Sequence, residues 1–168
     1  MNNGTVNFLL NLALSGDNSD GGQSELGVTK TQVNIARGLS FAHGSGSGQS
    51  NVIWHDKLAV TTADTLDLNG VVFGLQDVFG TALVLTKLKA LYIKNLTGGN
   101  LTIGGAGAAA LEIFGTPATD TLVLINNGQF MYIAPEDGLA IDDTKDELKF
   151  VHAEGGAQNV EIVIVGVR

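Results

Sequence analysis

Three histidines, two glycine-rich tracts and one acidic stretch are the places where this sequence could carry chemistry. His43, His55 and His152 lie far apart and have no i, i+2 or i, i+4 partner, so they lack the ligand spacing of a zinc site. His55 and Asp56 are the acid and base types of a proton-transfer pair, but neighbours on a strand face opposite sides. Gly44-Ser45-Gly46-Ser47-Gly48 resembles a hydrolase elbow in composition. The elbow pattern Gly-x-Ser-x-Gly needs its serine where this sequence has Gly46, so the tract reads as a flexible linker. Gly104 to Ala110 follows a strand, as a dinucleotide-binding loop does, with Asp120 downstream. No helix pattern follows it and no βαβ context surrounds it, so it reads as a tight corner.

Glu136, Asp137, Asp142, Asp143, Asp146 and Glu147 form the densest acidic cluster, and carboxylates at loop spacing are calcium ligands. The EF-hand spacing is absent and Lys145 interrupts the run, so the loop 136–147 reads as solvated. Asn3-Gly4-Thr5 and Asn95-Leu96-Thr97 fit the glycosylation sequon, which has meaning only in a secreted eukaryotic protein. Trp54, Tyr92 and Tyr132 could form a sugar-stacking platform. With aromatics at 6% of the chain, core packing is the simpler assignment. The chain has no cysteine, which removes disulfides, thiolate metal sites and thiol nucleophiles. These residues therefore predict no catalytic group, no metal ligand, no cofactor and no enzyme activity.

The elements around these residues are short and regular. At 168 residues, 44% hydrophobic and mean hydropathy +0.22, the sequence can fill one packed core. Seventeen acidic against nine basic residues give a net charge of -8, which disfavours nucleic acid and anionic lipid as partners. No apolar run is long enough to span a membrane. Met1 to Leu14 lacks the basic start of a secretory signal and carries Asn7 and Asn11, so the mature chain is expected to begin near Met1. Glycine at 23 residues beside 2 prolines and 15% charged residues predicts many turns and few helices.

Val6, Phe8, Leu10, Leu12 and Leu14 alternate with Asn7, Leu9, Asn11 and Ala13, the period of a strand. The turn formers from Ser15 to Gly22 predict an exposed loop after it. Val28, Val33, Ile35, Leu39 and Phe41 mark one bent strand or two short ones. Residues 1–50 thus read as a strand and flexible arm, and 51–168 as a sandwich domain. In the latter, Leu83 to Lys94 is expected as a long central strand. Leu85, Leu88 and Tyr92 also fit a helix, but β-branched and aromatic content favours the strand. Gly98-Gly99-Asn100 is expected to close a hairpin onto Leu101-Thr102-Ile103. Gly74 to Gly80 reads as a loop or a single helical turn. Val160 to Val165, apolar except for Glu161, should be an interior strand covered on both faces. About ten to twelve strands of about five or six residues fit the chain. The predicted fold class is all-β, a jelly-roll-like antiparallel β-sandwich with an extended N-terminal arm.

Four stretches carry a resemblance. Leu88-Lys89-Ala90-Leu91-Tyr92-Ile93-Lys94-Asn95, Leu101-Thr102-Ile103-Gly104-Gly105, Asn127-Gly128-Gln129 before Ile133-Ala134-Pro135, and Val160 to Gly166 resemble the strand and turn signatures of small virion proteins of tailed bacteriophages. The likeness spans residues 52–168 and is to jelly-roll cement proteins that sit as trimers on phage heads. Asn127-Gly128 stands where that family tends to have Pro-Gly-Gly, and Glu136 where it has aspartate.

The resemblance implies a capsid decoration protein on the phage head surface. It further implies a homotrimer that binds the major capsid protein and stabilises contacts between its subunits, with no nucleic-acid or membrane partner. Val6, Phe8, Leu10, Leu12 and Leu14 are the expected interface arm, acting by strand addition to an exposed sheet edge. A trimeric tail-fibre or spike module contacting host glycans is the alternative; the low aromatic content and the absence of a fibrous repeat speak against it.

Overall fold

The computed structural model describes residues 5–18, 29–70, 74–77, 79–114 and 120–168, with side chains described from residue 40 onward. Asn3-Gly4, the loop residues Ser19 to Gly22, Val28 and Val78 lie outside the described residues. The chain divides into two compact units, one ending at Ala42 and the other running from His43 to Arg168.

In the first unit β1 (Thr5–Asn18) pairs antiparallel with β2 (Thr29–His43). The register sets Val6, Phe8, Leu10, Leu12 and Leu14 opposite Phe41, Leu39, Arg37, Ile35 and Val33. Directly opposed residues share a face of an antiparallel ribbon, so from Val6 to Leu14 one face is apolar except for Arg37, and beyond it the same face continues as Gly16 opposite Thr31 and Asn18 opposite Thr29. The intervening face is mixed, with Asn7, Leu9, Asn11, Ala13, Ser15 and Asp17 opposite Ser40, Gly38, Ala36, Asn34, Gln32 and Lys30. The first residues of the expected loop are strand: Ser15 to Asn18 continue the ladder opposite Thr29 to Gln32. Pairing with threonine-rich β2 satisfies backbone groups that these turn formers would otherwise leave to water. The second stretch is one strand, not two.

The second unit is a sandwich of two antiparallel sheets. Its strands are β4 (Val52–Val60), β5 (Ala63–Asp67), β6 (Lys87–Leu96), β7 (Leu101–Gly104), β8 (Thr121–Leu124), β9 (Gln129–Ile133), β10 (Leu139–Ala140), β11 (Glu147–His152) and β12 (Gln158–Val167), while the two-residue β3 (Gln49–Ser50) lies outside both sheets. One sheet runs β10-β6-β12-β4 with β9 also on β6, and the other runs β5-β11-β7-β8. The pairings are nested: β4 with β12, β5 with β11, β6 with β9 and β10, and β7 with β8. Such a chain is one long hairpin of eight strand positions wrapped around itself. The wrap is closed by β12 on β6 and β11 on β7, and the result is a jelly roll. A 3-10 turn, Gly107–Ala109, is the only helical element among the described residues.

Three expectations change here. Gly98-Gly99-Asn100 does not close a hairpin, because β6 and β7 lie in opposite sheets. The turn is a corner at which the chain crosses the sandwich. The long strand begins at Lys87 rather than Leu83. Before that point the backbone binds loops instead of a ladder, with Leu83 N–H donating to Leu75 C=O and Leu85 N–H to Leu68 C=O. Central β12 buries Val160, Ile162 and Ile164 completely, while Glu161 and Val163 on the other face are only half-buried. It is interior in the sheet and covered mainly on one side.

The core fills the space between the sheets with Leu91, Ile93, Ile162 and Ile164 from one and Leu101, Ile103, Leu148 and Phe150 from the other. Each is essentially inaccessible to water. At about 25 cal/mol per Å² of apolar area, burying each side chain contributes about 1.5–3 kcal/mol. Near the start of β6 the ladder with β12 slips between Val165 and Gly166. A Cβ on Gly166 would sit 2.6 Å from the Lys87 carbonyl oxygen, so only glycine lets the strands approach there.

Candidate functional site

The alternation that fills the core also sorts the chemistry-bearing residues onto separate surfaces. His55 stands on the open face of the five-stranded sheet, 3.7 Å from the Glu161 carboxylate. His152 is buried in the other sheet, its Nε2 2.9 Å from the Val60 carbonyl and its Nδ1 without a partner. His43 is exposed at the end of β2. The structure therefore places the three imidazoles in three unlike environments. Among the described residues no group of three or more His, Asp or Glu could hold a metal ion.

The glycine-serine tract is a built turn rather than a linker. Gly44 N–H donates to Ser50 C=O, Gln49 N–H to Gly46 C=O, and Gly46 N–H to the Gln49 side chain. Its anchor is Lys89, the residue that the β6–β12 slip leaves unmatched. Lys89 is fully buried, and its Nζ donates to the Glu136 carbonyl at 2.6 Å and the Gly46 carbonyl at 3.3 Å. Burial, with Lys87 nearby, holds its pKa below the usual lysine value, against the opposing pull of Asp137 and Glu136. The ammonium thus ties the 44–48 turn to the loop after β9.

Asn95 does comparable work at the β6–β7 corner. It is fully buried; its Nδ2 reaches the carbonyls of Gly99, Leu124 and Ile125, and its Oδ1 accepts from Thr97 N–H and Thr97 Oγ1. The sequon it heads is therefore closed to a glycan in the folded chain. The sequence marked Asn95 only through that sequon and the resemblance. The usable signal was its parity, since it continues the inward series Leu91, Ile93.

The acidic stretch divides. Asp142 folds its own loop by accepting from Thr144 Oγ1 at 2.6 Å and Thr144 N–H at 2.9 Å, contacts that lower its pKa. Lys145 pairs with Glu112 at 2.8 Å. Asp146 does not stay solvated: it is buried, and burial, followed by repulsion from Asp67, Glu147 and Asp143, pushes its pKa up to about 6.

Of the three aromatics, Trp54 is in the core and Tyr132 packs against it. Tyr92 lies on the open face, opposite Val163, and its burial and Glu161 raise its pKa. The expected core assignment fails for Tyr92 because even-numbered positions of β6 here point outward. On that side of the sheet Ile53, Val165, Ala90 and Ile133 form one row, of which Val165 and Ala90 are buried and Ile53 and Ile133 exposed, and Lys57, Glu161 and Lys94 form another, charged row.

A cleft of about 460 Å³ opens between the sheets beside β4 and β5, the outer strands of the two sheets on that side. Trp54, Leu58 and Phe150 line it, with Asp56, Asp64 and Gln76 as polar members. Trp54 Nε1–H donates to the Gln76 carbonyl at 2.9 Å. Asp64 accepts from Thr61 N–H at 2.7 Å and Asp56 from Lys57 N–H at 2.7 Å, and both carboxylates are exposed. Among the described residues no Lys, Arg or His lines the cleft.

What this fold and these surfaces define is a jelly-roll sandwich preceded by a β-ribbon. No family model and no curated protein matches the sequence. Among solved structures the chain is similar to the Tobacco streak virus coat protein dimer, at 15% identity and a TM-score of 0.37, over 70% of this chain and 86% of that one.

Proposed function

We propose that this chain is a virion structural protein without enzymatic activity, and specifically a decoration protein on the head of a tailed bacteriophage. In this reading residues 51–168 form the body and residues 1–50 the arm. Homotrimers bind the outside of the head and stabilise contacts between major capsid subunits.

The observation that carries the reading is the β1–β2 register, which gathers nine apolar residues and Arg37 on one face of the ribbon. A two-stranded ribbon is marginally stable alone, so that face calls for a cover, and the capsid surface supplies it. Because β1 already spends one edge on β2, strand addition is left to its other edge. The jelly roll agrees with such a role, since the architecture recurs in viral capsid proteins, though it also serves lectins and cupins. The β4–β5 cleft and the open sheet face leave room for further contacts.

Co-sedimentation of the purified protein with undecorated heads tests the reading. Saturable binding that raises the temperature at which heads rupture is the expected result. A Leu10→Asp/Leu12→Asp variant, folded by circular dichroism, should lose it. Failure of the unaltered protein to co-sediment overturns the assignment.

A further inference from the structure

We infer that the β4–β5 cleft is a docking site for an extended peptide segment that brings one basic side chain next to an apolar one. The cleft lies where both sheets end: β4 has a neighbour on one side only among the described residues, and the outer edge of β5 is taken only at its end, where Asp67 bridges to Gly74. An unpaired strand edge beside an apolar depression is the geometry of strand addition, in which backbone bonds hold the guest and the depression selects its side chains.

Charge decides the guest. Asp56 and Asp64 line the cleft, with no cationic side chain lining it among the described residues. Each carboxylate accepts a backbone N–H from a residue of its own loop or strand, and both remain exposed to a newcomer. An anionic guest is repelled, whereas a guanidinium or ammonium forms a charge-assisted bond. The floor of Trp54, Leu58 and Phe150 takes the apolar neighbour, and the volume of about 460 Å³ suits one or two side chains. A sugar is disfavoured by the state of the one aromatic that could stack: Trp54 is 8% exposed and its N–H is already committed to Gln76. This inference is independent of the head-decoration reading, since the cleft can bind such a segment whether or not the protein binds heads.

Trp54 is the only tryptophan of the chain, so its fluorescence and its indole N–H resonance report on the cleft alone. The full-length protein is titrated with acetyl-Thr-Arg-Thr-Val-Thr-amide, whose Arg and Val stand two residues apart and so face the same side of a strand, with the same peptide carrying Glu in place of Arg, and with N-acetylglucosamine. The expected result is a saturable Trp54 response to the arginine peptide only. Asp56→Asn and Asp64→Asn should each weaken that response about tenfold, as the loss of one charge-assisted contact does. Asp137→Asn, which removes the same charge from an exposed loop after β9, across the sheet from β4, should leave it unchanged. No response at millimolar peptide overturns the inference, as does an equal response to the glutamate peptide or the sugar, or equal weakening by Asp137→Asn.

Discussion

The chain crosses from one sheet to the other both where β4 passes into β5 and where β6 passes into β7, and the two corners are built in opposite ways. At the β6–β7 corner a fully buried Asn95 gathers the carbonyls of Gly99, Leu124 and Ile125 and the two donors of Thr97. At the β4–β5 corner the polar residue is Asp64, exposed, accepting only from Thr61 at its own turn, and the sheets part there into a cleft. One corner spends its polar groups on closure. The other leaves its carboxylates facing outward, which costs stability little and keeps them available to a partner.

The largest expected effect comes from breaking the closed corner. Asn95→Ala strands several buried carbonyls and the Thr97 donors, and should destabilise the sandwich by about 3–4 kcal/mol in urea unfolding. A loss under about 1 kcal/mol would mean that water replaces the side chain and the corner is not closed.

Next is the other end of β6, where Gly166→Ala forces a methyl against the Lys87 carbonyl. A loss of about 2–3 kcal/mol is expected, showing that tight closure runs the length of β6. Little change would confine closure to Asn95.

Asp146 sharpens the contrast from the far end of β5, where its carbonyl accepts from Leu68 N–H. Its folded pKa, about 6, lies above its ordinary value of 3.8. At this residue the folded state therefore binds more protons between these values, and the contribution of Asp146 to stability is fully present below about pH 4 and is lost as pH rises through 6. Asp146→Asn should remove most of that decline and stabilise the protein at pH 7 by about 1–2 kcal/mol. A pH profile unchanged by the substitution would show that another group causes the decline.

The smallest effect belongs to the open corner. Asp64→Asn, which alters an exposed carboxylate, should shift unfolding by no more than about 0.5 kcal/mol. A loss approaching that of Asn95→Ala would erase the distinction between the corners.

The sequence displayed the parts of this fold that depend on period and hid those that depend on long-range pairing. Val160 to Val165 announced a central strand, and the alternation of Val6 to Leu14 announced β1. Gly98-Gly99 announced a reversal, but a turn dipeptide does not say which sheet the next strand joins. That choice rests on β7 pairing with β11, about fifty residues downstream by register, which local pattern cannot encode. Lys89 stands among apolar neighbours with no local sign of which way it faces. Its burial follows from the slip opposite Gly166, which arises only once β12 is in place. The cleft was equally hidden, because its lining comes from β4, β5, β11 and the loop at Gly74 and Gln76. The apolar ribbon face was half legible: β1 showed its alternation, while the matching residues of β2 acquired meaning only through the register.

The most direct test of the account is a cryo-electron micrograph reconstruction of the parent particle. The account predicts jelly-roll densities in threefold clusters on the outer surface of the head, each with a two-stranded ribbon laid apolar face down on the major capsid protein. Such density on the tail, or a head surface bare of it while the protein is present in the particle, would contradict it.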